Sequence, residues 1–205
     1  MTGDRKRPWP RTRPPAAALL DRDGTLITET GYLTDPRGFD FVPGAPEAVA
    51  RLNRAGVPVA LITNQSAIAR GWLSEEGLGE IHAELERRLA ELGARLDLIL
   101  FCPHHPKEGP NGSPGPFTGP CECRKPSSGM LREALRRFDA EPADSVTVGD
   151  SDRDLEAGAA AGVPGLLVCT GKGREQWRRA LERTGHAPDC VPDLAAAVDL
   201  LLGAP

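Results

Sequence analysis

The chain has 205 residues, 40% of them hydrophobic and 26% charged, and its formal net charge at pH 7 is −4. This length predicts one main domain with a core of its own. The acidic balance argues against a nucleic-acid-binding surface, and the absence of an apolar run long enough to cross a bilayer argues against a membrane partner.

The first fifteen residues, MTGDRKRPWPRTRPP, differ in composition from the rest of the chain. They contain five Arg or Lys, one Asp and four Pro. They lack the apolar stretch that a signal peptide needs. We therefore expect a disordered, basic, Pro-rich tail at 1–15, followed by a single domain at 16–203.

Five short apolar runs have the length and composition of buried strands. They are AAALL (16–20), VPVALIT (57–63), LDLILF (96–101), SVTVG (145–149) and GLLVC (165–169). Stretches with helical spacing of apolar residues lie between them, at 46–56, 74–93, 130–138 and 154–162. This alternation predicts an α/β fold, a Rossmann-like parallel sheet with helices on both faces and without a large cap domain.

Two segments do not follow this alternation. LITETGYLTDPRGFDFVPG (26–44) predicts a flap hairpin with a Gly- and Pro-rich tip. CPHHPKEGPNGSPGPFTGPCECRKP (102–126) has neither helical nor strand periodicity. A loop of this length inside a compact domain is usually functional or disordered, so the chemistry of its side chains decides between the two.

The chain contains five cysteines, an odd number that does not suit a set of disulfides. Because no export sequence is present, we expect a cytoplasmic protein whose clustered cysteines bind a metal. Cys169 and Cys190 lie apart from the cluster, and we expect them to be buried apolar side chains.

The clustered cysteines belong to two pairs of metal-binding side chains in the long loop. Each pair is separated by one residue, and the pairs are Cys102 with His104 and Cys121 with Cys123. Three Cys and one His are a ligand set of structural zinc sites, so we expect a zinc-binding loop at 102–125. The alternatives are free thiols with surface histidines, or His105 in place of His104.

Polar side chains follow the predicted strands at four places. The stretches are DRDGT (21–25), TNQS (63–66), CRKP (123–126) and GDSDRD (149–154). The carboxyl ends of neighbouring parallel strands share one edge of the sheet, so these stretches should meet at one crevice. Crowded carboxylates are tolerated there if a divalent cation neutralises them, and carboxylate oxygens suit Mg²⁺. We expect the crevice to contain Asp21, Asp23, Thr63, Lys125 and Asp150, with Asp154 bracing Lys125.

This set of side chains suits phosphoryl transfer. A carboxylate beside Mg²⁺ and a lysine can attack a phosphoryl group, because both cations reduce the repulsion between the anions. A second carboxylate two residues along can protonate the leaving oxygen and later deprotonate water. Thr63 and Lys125 would hold the phosphoryl oxygens. An ordinary Asp-rich turn remains the alternative; a calcium loop is excluded because Tyr32 stands where that loop needs a Glu.

The polar stretches, in this order, resemble the four motifs of the haloacid dehalogenase superfamily of phosphatases. The matching residues are DRDGT, Thr63 in LITNQ, Lys125 in CRKP, and GDSDRD, and the resemblance covers about 16–203. It implies that Asp21 is the nucleophile that becomes an aspartyl-phosphate and that Asp23 is the acid/base. It also implies Mg²⁺ bound by Asp21, the backbone carbonyl of Asp23, and Asp150.

Within the superfamily, the Cys- and His-containing loop is similar to two groups, the heptose 1,7-bisphosphate 7-phosphatases and the histidinol-phosphate phosphatases. TGYLTDP, TNQSAIARG, CPHHP, CECRKP and CTGKG look like the heptose group. This resemblance implies contacts to a small phosphorylated sugar from Glu29, Thr30, Gly31, Tyr32, Asn64, Gln65, Ser66 and Arg124. A guanidinium such as Arg124 suits a second, non-reacting phosphate. We expect a monomer; a catalytically silent phosphosugar-binding protein is the alternative of another class.

Overall fold

The computed structural model describes residues 13–107, 115–184 and 188–203, which form a layered α/β fold. Most of the tail expected at 1–15, and residues 108–114 of the loop at 102–125, lie outside these ranges. No helix within the described ranges is long and apolar enough to span a membrane.

Strands and helices alternate along the described residues. The strands are β1 (Ala18–Leu20), β2 (Val59–Asn64), β3 (Leu98–Cys102), β4 (Val146–Gly149), β5 (Gly165–Val168) and β6 (Cys190–Val191). The α-helices are α1 (Ala45–Arg54), α2 (Glu75–Glu91), α3 (Gly129–Phe138), α4 (Asp152–Ala161), α5 (Gly173–Thr184) and α6 (Leu194–Leu202). The five predicted strands and four predicted helices are all present, with ends shifted by a few residues.

The six strands form one parallel sheet in the order β3-β2-β1-β4-β5-β6. Leu20 at the end of β1 pairs with Leu61 of β2 on one side and with Val148 of β4 on the other. The strand order reverses at β1, and ligands of such sheets bind at this switch point, beyond the carboxyl ends of the strands. The topology therefore places the residues after β1, β2 and β4 next to one another.

The hydrophobic core covers both faces of the sheet, because side chains alternate along each strand. Ala18 and Leu20 pack with α1, α2 and α6 on one face. Ala17 and Leu19 pack with α3 and α4 on the other face, and all four residues are fully buried. A central strand that is apolar on both sides is typical of a parallel sheet with helices on both faces, so the predicted fold class is confirmed.

Three elements near the end of the chain are absent from the predicted set. Helix α5 has few apolar residues, β6 has only two residues, and α6 is apolar on nearly every side, so none of them shows a clear period. The start of α6 is marked by Asp193, whose Oδ1 accepts a hydrogen bond from the amide of Ala196 at 2.8 Å. An Asp before an apolar run is typical of a helix start.

Residues 26–44 fold back on themselves without forming paired strands. The amide of Thr28 donates to the carbonyl of Asp40 at 2.9 Å. Ile27 and Phe41 form a single antiparallel bridge. The segment therefore follows the course predicted for a flap hairpin, with bends in place of strands.

Cys169 and Cys190 form a disulfide, so the expectation of two separate buried apolar side chains is wrong. Both residues are half-buried. Cys169 directly follows β5 and Cys190 begins β6, and because these strands are neighbours their Cα atoms lie 6.5 Å apart. The sequence does not indicate the pairing, because β6 is too short to be predicted.

Candidate active site

A buried lysine between two carboxylates forms the floor of a cleft at the carboxyl edge of the sheet. Lys125 Nζ lies 2.6 Å from Asp21 Oδ1 and 2.6 Å from Asp154 Oδ1. It also donates to the carbonyl of Ile62 at 2.6 Å. Asp21 directly follows β1, and Asp154 lies in the first turn of α4. The three contacts fix the ammonium group at the switch point of the sheet.

Asp150, directly after β4, is the third carboxylate of this group. Its Oδ2 accepts a hydrogen bond from the amide of Lys172 at 2.7 Å. Carboxylate oxygens of Asp21, Asp150 and Asp154 all lie within 4.8 Å of one another. Gly24 makes room for Asp150, because a Cβ at Gly24 would lie 2.2 Å from Asp150 Oδ2, and its φ of +81° also favours glycine.

Burial and crowding change the proton affinities of these groups. Burial raises the pKa of Asp21 well above its ordinary value, and the nearby carboxylates add to this effect while Lys125 opposes it. Burial also raises the pKa of Asp150, to about 6. For Lys125, burial opposes the charged form, but Asp154 and Asp21 outweigh it and the pKa is raised. The surplus of negative charge and the oxygen donors fit a divalent cation.

Asp23 is braced by two side chains that bind its two carboxylate oxygens. Arg22 Nη2 and Nε donate to Asp23 Oδ1 at 2.9 and 3.1 Å, and Gln65 Nε2 donates to Asp23 Oδ2 at 3.0 Å. Gln65 Nε2 also lies 2.7 Å from Thr63 Oγ1, to which it donates. Arg22 is 1% exposed, whereas 21% of the Asp23 side chain is exposed. The two aspartates of DRDGT therefore have different partners.

The end of β2 positions the loop that carries the lysine. Asn64 Nδ2 donates to the carbonyl of Lys125, and Asn64 Oδ1 accepts from the amide of Lys125, both at 3.0 Å. In the same loop, Arg124 Nη1 donates to the carbonyl of His104 at 2.9 Å. These bonds join β2, the Cys- and His-containing loop and the cleft.

The cleft has a volume of about 390 Å³ and collects nearly all the predicted site residues. Its lining includes Asp21, Asp23, Glu29, Gly31, Tyr32, Thr63, Asn64, Gln65, Ser66, Arg124, Lys125 and Asp150. Thr30 is exposed and is not part of the lining. Glu29 Oε2 lies 2.6 Å from Lys172 Nζ, so an ion pair joins the 26–44 segment to the loop after β5.

Among the described residues, the lining also includes Asp154, which was expected to brace Lys125, and His105, Ser151, Arg153 and Lys172, which are outside the predicted set of site residues. Asp154 has the predicted bracing contact with Lys125. Arg153 is not predicted at all. Its place in the first turn of α4 is the indication that was available, because a positive charge is unfavourable at the start of a helix.

Aromatic and cationic side chains meet at the rim of the cleft. The rings of Tyr32 and Trp72 pack edge to face with centroids 4.6 Å apart. The Arg70 guanidinium lies 5.6 Å from the Tyr32 centroid and 5.2 Å from the Trp72 centroid. Arg70 Nη2 lies 3.2 Å from His105 Nε2. This group connects the tip of the 26–44 segment to the start of the Cys- and His-containing loop.

Four Cys and His side chains of that loop form a compact group beside the cleft. The sulfur of Cys102 lies 3.6 Å from that of Cys121 and 3.0 Å from that of Cys123, and the latter two are 3.4 Å apart. His104 Nδ1 lies 3.7 Å from the Cys102 sulfur and 3.4 Å from the Cys123 sulfur. Three Cys and one His whose ligand atoms all lie within 4.8 Å of one another are compatible with a four-ligand zinc site. His105 is not part of it.

His82 of α2 is a buried titratable residue outside the cleft. Its ring lies beside Phe101, with the centroids 6.0 Å apart. Burial lowers the pKa of His82 from 6.5 to about 4, and the charge of Arg22 contributes in the same direction. The folded protein therefore keeps this imidazole neutral at pH values where an unfolded chain would protonate it.

We expect His82 to make the fold less stable as the pH falls. Between pH 7 and pH 4, the free energy of unfolding should decrease by roughly 2–3 kcal/mol more in the wild type than in His82→Gln. The unfolded chain binds a proton as the pH falls through 6.5, whereas the folded protein does so only near 4. Urea unfolding of both proteins at several pH values measures the difference, and parallel pH curves would contradict it.

Two family models match the chain, one before the Cys- and His-containing loop and one from the end of that loop onward. A model described as haloacid dehalogenase-like hydrolase matches 18–77, and one described as HAD-hydrolase-like matches 122–197. The first range contains Asp21, Asp23 and Thr63, and the second contains Lys125 and Asp150.

Bacterial relatives match most of the chain. The D-glycero-beta-D-manno-heptose-1,7-bisphosphate 7-phosphatase of Haemophilus influenzae is 42% identical over 157 residues, 76% of this chain and 83% of the relative. The enzyme of the same name from Bordetella bronchiseptica is 39% identical over 188 residues, 90% of this chain and 96% of the relative. The chain belongs to this family of haloacid dehalogenase-like phosphatases.

Solved structures from this phosphatase family share the fold. The crystal structure of D,D-heptose 1,7-bisphosphate phosphatase from B. bronchiseptica, complexed with magnesium and phosphate, has a TM-score of 0.76 and 38% identity and covers 89% of this chain and 96% of its own. The enzyme of that name from Burkholderia thailandensis has a TM-score of 0.64 and 34% identity, with coverages of 89% and 95%. Family membership confirms the predicted phosphoric monoester hydrolase.

Proposed function

We propose that the protein hydrolyses the 7-phosphate of D-glycero-beta-D-manno-heptose 1,7-bisphosphate. The observation that carries this proposal is the Asp21–Lys125–Asp154 group at the floor of a polar cleft, in a chain related to enzymes named for that reaction. We keep the expectation of a cytoplasmic monomer.

Asp21 is the group placed to attack phosphorus. Lys125 holds one of its carboxylate oxygens at 2.6 Å, at the floor of the cleft. As the bond between an Asp21 oxygen and phosphorus forms, the bond from phosphorus to the C7 oxygen breaks. Lys125 and Thr63, which both line the cleft, would bind the phosphoryl oxygens during this exchange, and the contact between Asp154 and Lys125 supports this role for the lysine.

Asp23 is the general acid and then the general base. Arg22 and Gln65 hold its two oxygens, and its side chain faces the cleft. In the first step Asp23 protonates the departing C7 oxygen, which gives a neutral alcohol. In the second step it takes a proton from the water that attacks the aspartyl-phosphate, so that inorganic phosphate leaves and Asp21 is restored.

Mg²⁺ would be held by Asp21, Asp150 and the backbone carbonyl of Asp23. Asp154 is close to the same point, but one of its oxygens contacts Lys125 at 2.6 Å and the other accepts the amide of Ser151 at 3.0 Å. This arrangement supports Asp21 and Asp150 as the carboxylate ligands. When bound, the cation reduces the repulsion between the carboxylate and the phosphate.

Zinc would be held by Cys102, His104, Cys121 and Cys123. Four protein ligands leave no open position, so the ion would have a structural role. Cys123 directly precedes Arg124 and Lys125. The zinc site would therefore fix the backbone from which these two side chains reach the cleft.

The preference for a sugar bisphosphate would come from Arg124 and the 26–44 segment. Arg124 offers a guanidinium to the phosphate that is not cleaved, and Glu29 and Tyr32 offer hydrogen-bond partners to sugar hydroxyls. Histidinol phosphate has an ammonium and an imidazole in place of a second phosphate. It would leave the Arg124 charge without an anionic partner.

We therefore expect a higher kcat/KM for the heptose 1,7-bisphosphate than for histidinol phosphate. Phosphate release from both substrates, with Mg²⁺ present, measures the ratio. A preference for histidinol phosphate would transfer the assignment to that group of phosphatases. No release from either substrate or from a generic aryl phosphate would support the silent phosphosugar-binding protein.

A further inference from the structure

A second arginine faces the same part of the cleft as Arg124. Arg153 lies in the first turn of α4, two residues after the end of the loop that carries Asp150 and Ser151, and its side chain is exposed. Both guanidiniums line the catalytic cleft, and both line an adjoining cavity of about 520 Å³. The two arginines therefore stand where these cavities meet.

The two guanidiniums carry like charges, and no ion pair balances either of them in the described part of the chain. Arg124 and Arg153 line the same two cavities, so their positive charges lie in one part of the molecule. Within 13–107, 115–184 and 188–203, no ion pair involves either residue. Arg153 also lies at the positive end of the α4 dipole, which disfavours a cation.

The adjoining cavity is basic as well. Its described lining includes Arg70, Lys107 and His105 in addition to the two arginines, and it contains no Asp or Glu. The carboxylates of the catalytic group line the cleft and do not line this cavity. A ligand with an anion at each end would place one at Lys125 and the other between Arg124 and Arg153.

We propose that Arg153 is a specificity-determining residue that binds, together with Arg124, the phosphate that the reaction leaves in place. The inference rests on the proposed function, because it requires a substrate with two phosphates. A phosphate dianion between two guanidiniums removes their repulsion and accepts hydrogen bonds from both planar groups. A monophosphate occupies the floor of the cleft alone and gains nothing from Arg153.

The test compares the heptose 1,7-bisphosphate with 4-nitrophenyl phosphate in the wild type, Arg153→Met and Arg153→Lys. Arg153→Met should raise KM for the bisphosphate roughly tenfold, the effect of one charge-assisted contact, with kcat changed less than about twofold. Its kinetics with 4-nitrophenyl phosphate should match the wild type. Arg153→Lys keeps the charge but not the planar group, so its KM for the bisphosphate should lie between the values of the wild type and Arg153→Met.

Arg174→Met is the matched control. Arg174 is an exposed arginine in the first turn of α5 and lines neither cavity, so its loss should leave both substrates unaffected. If the wild type hydrolyses the bisphosphate and Arg153→Met has an unchanged KM, this inference is overturned while the proposed function stands. Equal losses on both substrates also overturn it, because they indicate a structural role. A wild type inactive on the bisphosphate overturns the proposed function and this inference with it.

Discussion

Asp21→Asn should reduce phosphate release by roughly a thousandfold or more while the protein remains folded. The amide has nearly the same shape as the carboxylate, but it is not a nucleophile. Lys125 keeps its contact with Asp154 at 2.6 Å, so the buried ammonium still has an anionic partner after the substitution. Steady-state kinetics with Mg²⁺, together with circular dichroism and thermal unfolding, would separate lost chemistry from lost structure.

Asp152→Asn provides the matched control for Asp21. Asp152 is the first residue of α4 and does not line the catalytic cleft, so the same chemical change there should leave turnover close to the wild-type value. Near-normal turnover by Asp21→Asn would exclude the covalent mechanism. A comparable loss of turnover in Asp152→Asn would mean that removing any negative charge near the cleft lowers turnover, and that the loss in Asp21→Asn does not identify the nucleophile.

Cys121→Ser should remove most of the bound zinc and lower the melting temperature by roughly 5–10 °C. The wild type should contain about one zinc per chain, as one four-ligand site requires. Turnover should fall too, because Arg124 and Lys125 follow Cys123 directly and lose the anchor of their backbone. Elemental analysis, calorimetry and kinetics on protein purified without chelators give the three values.

Cys190→Ser is a Cys-to-Ser substitution outside the Cys and His group; because it also breaks the disulfide with Cys169, only its zinc content is compared. Cys190 lies in β6, bonded to Cys169, and is outside the Cys and His group. Its zinc content should stay at about one per chain. Wild-type protein without zinc, or an unchanged zinc content in Cys121→Ser, would refute the proposed ligand set.

The sequence predicted the site best where a functional residue follows an apolar strand. Asp21, Thr63 and Asp150 lie in or directly after β1, β2 and β4, so the periodicity that locates the strands also locates the side chains. The parallel order of the strands then brings these side chains together at one edge of the sheet, independently of the conformation of the connecting loops. The zinc ligands were predictable for a different reason, since their residue types and spacing carry the chemistry by themselves.

Contacts between distant segments were not predictable in the same way. The Cys169–Cys190 bond depends on the pairing of β5 with a two-residue strand that has no pattern of its own. Arg22 is completely buried and its charge contributes to the lowered pKa of His82 in α2, an interaction between residues far apart in the sequence that no local pattern marks. Arg153 belongs to the cleft because α4 begins there, and its spacing from Asp150 does not set the direction of its side chain.

The identity of the product tests the central claim most directly. Purified protein with Mg²⁺ would be incubated with D-glycero-beta-D-manno-heptose 1,7-bisphosphate, and the products would be followed by ³¹P nuclear magnetic resonance. The account predicts that the C7 phosphomonoester resonance disappears as inorganic phosphate forms, while the anomeric phosphate resonance remains. Loss of the anomeric resonance first, or no inorganic phosphate at all, would contradict it.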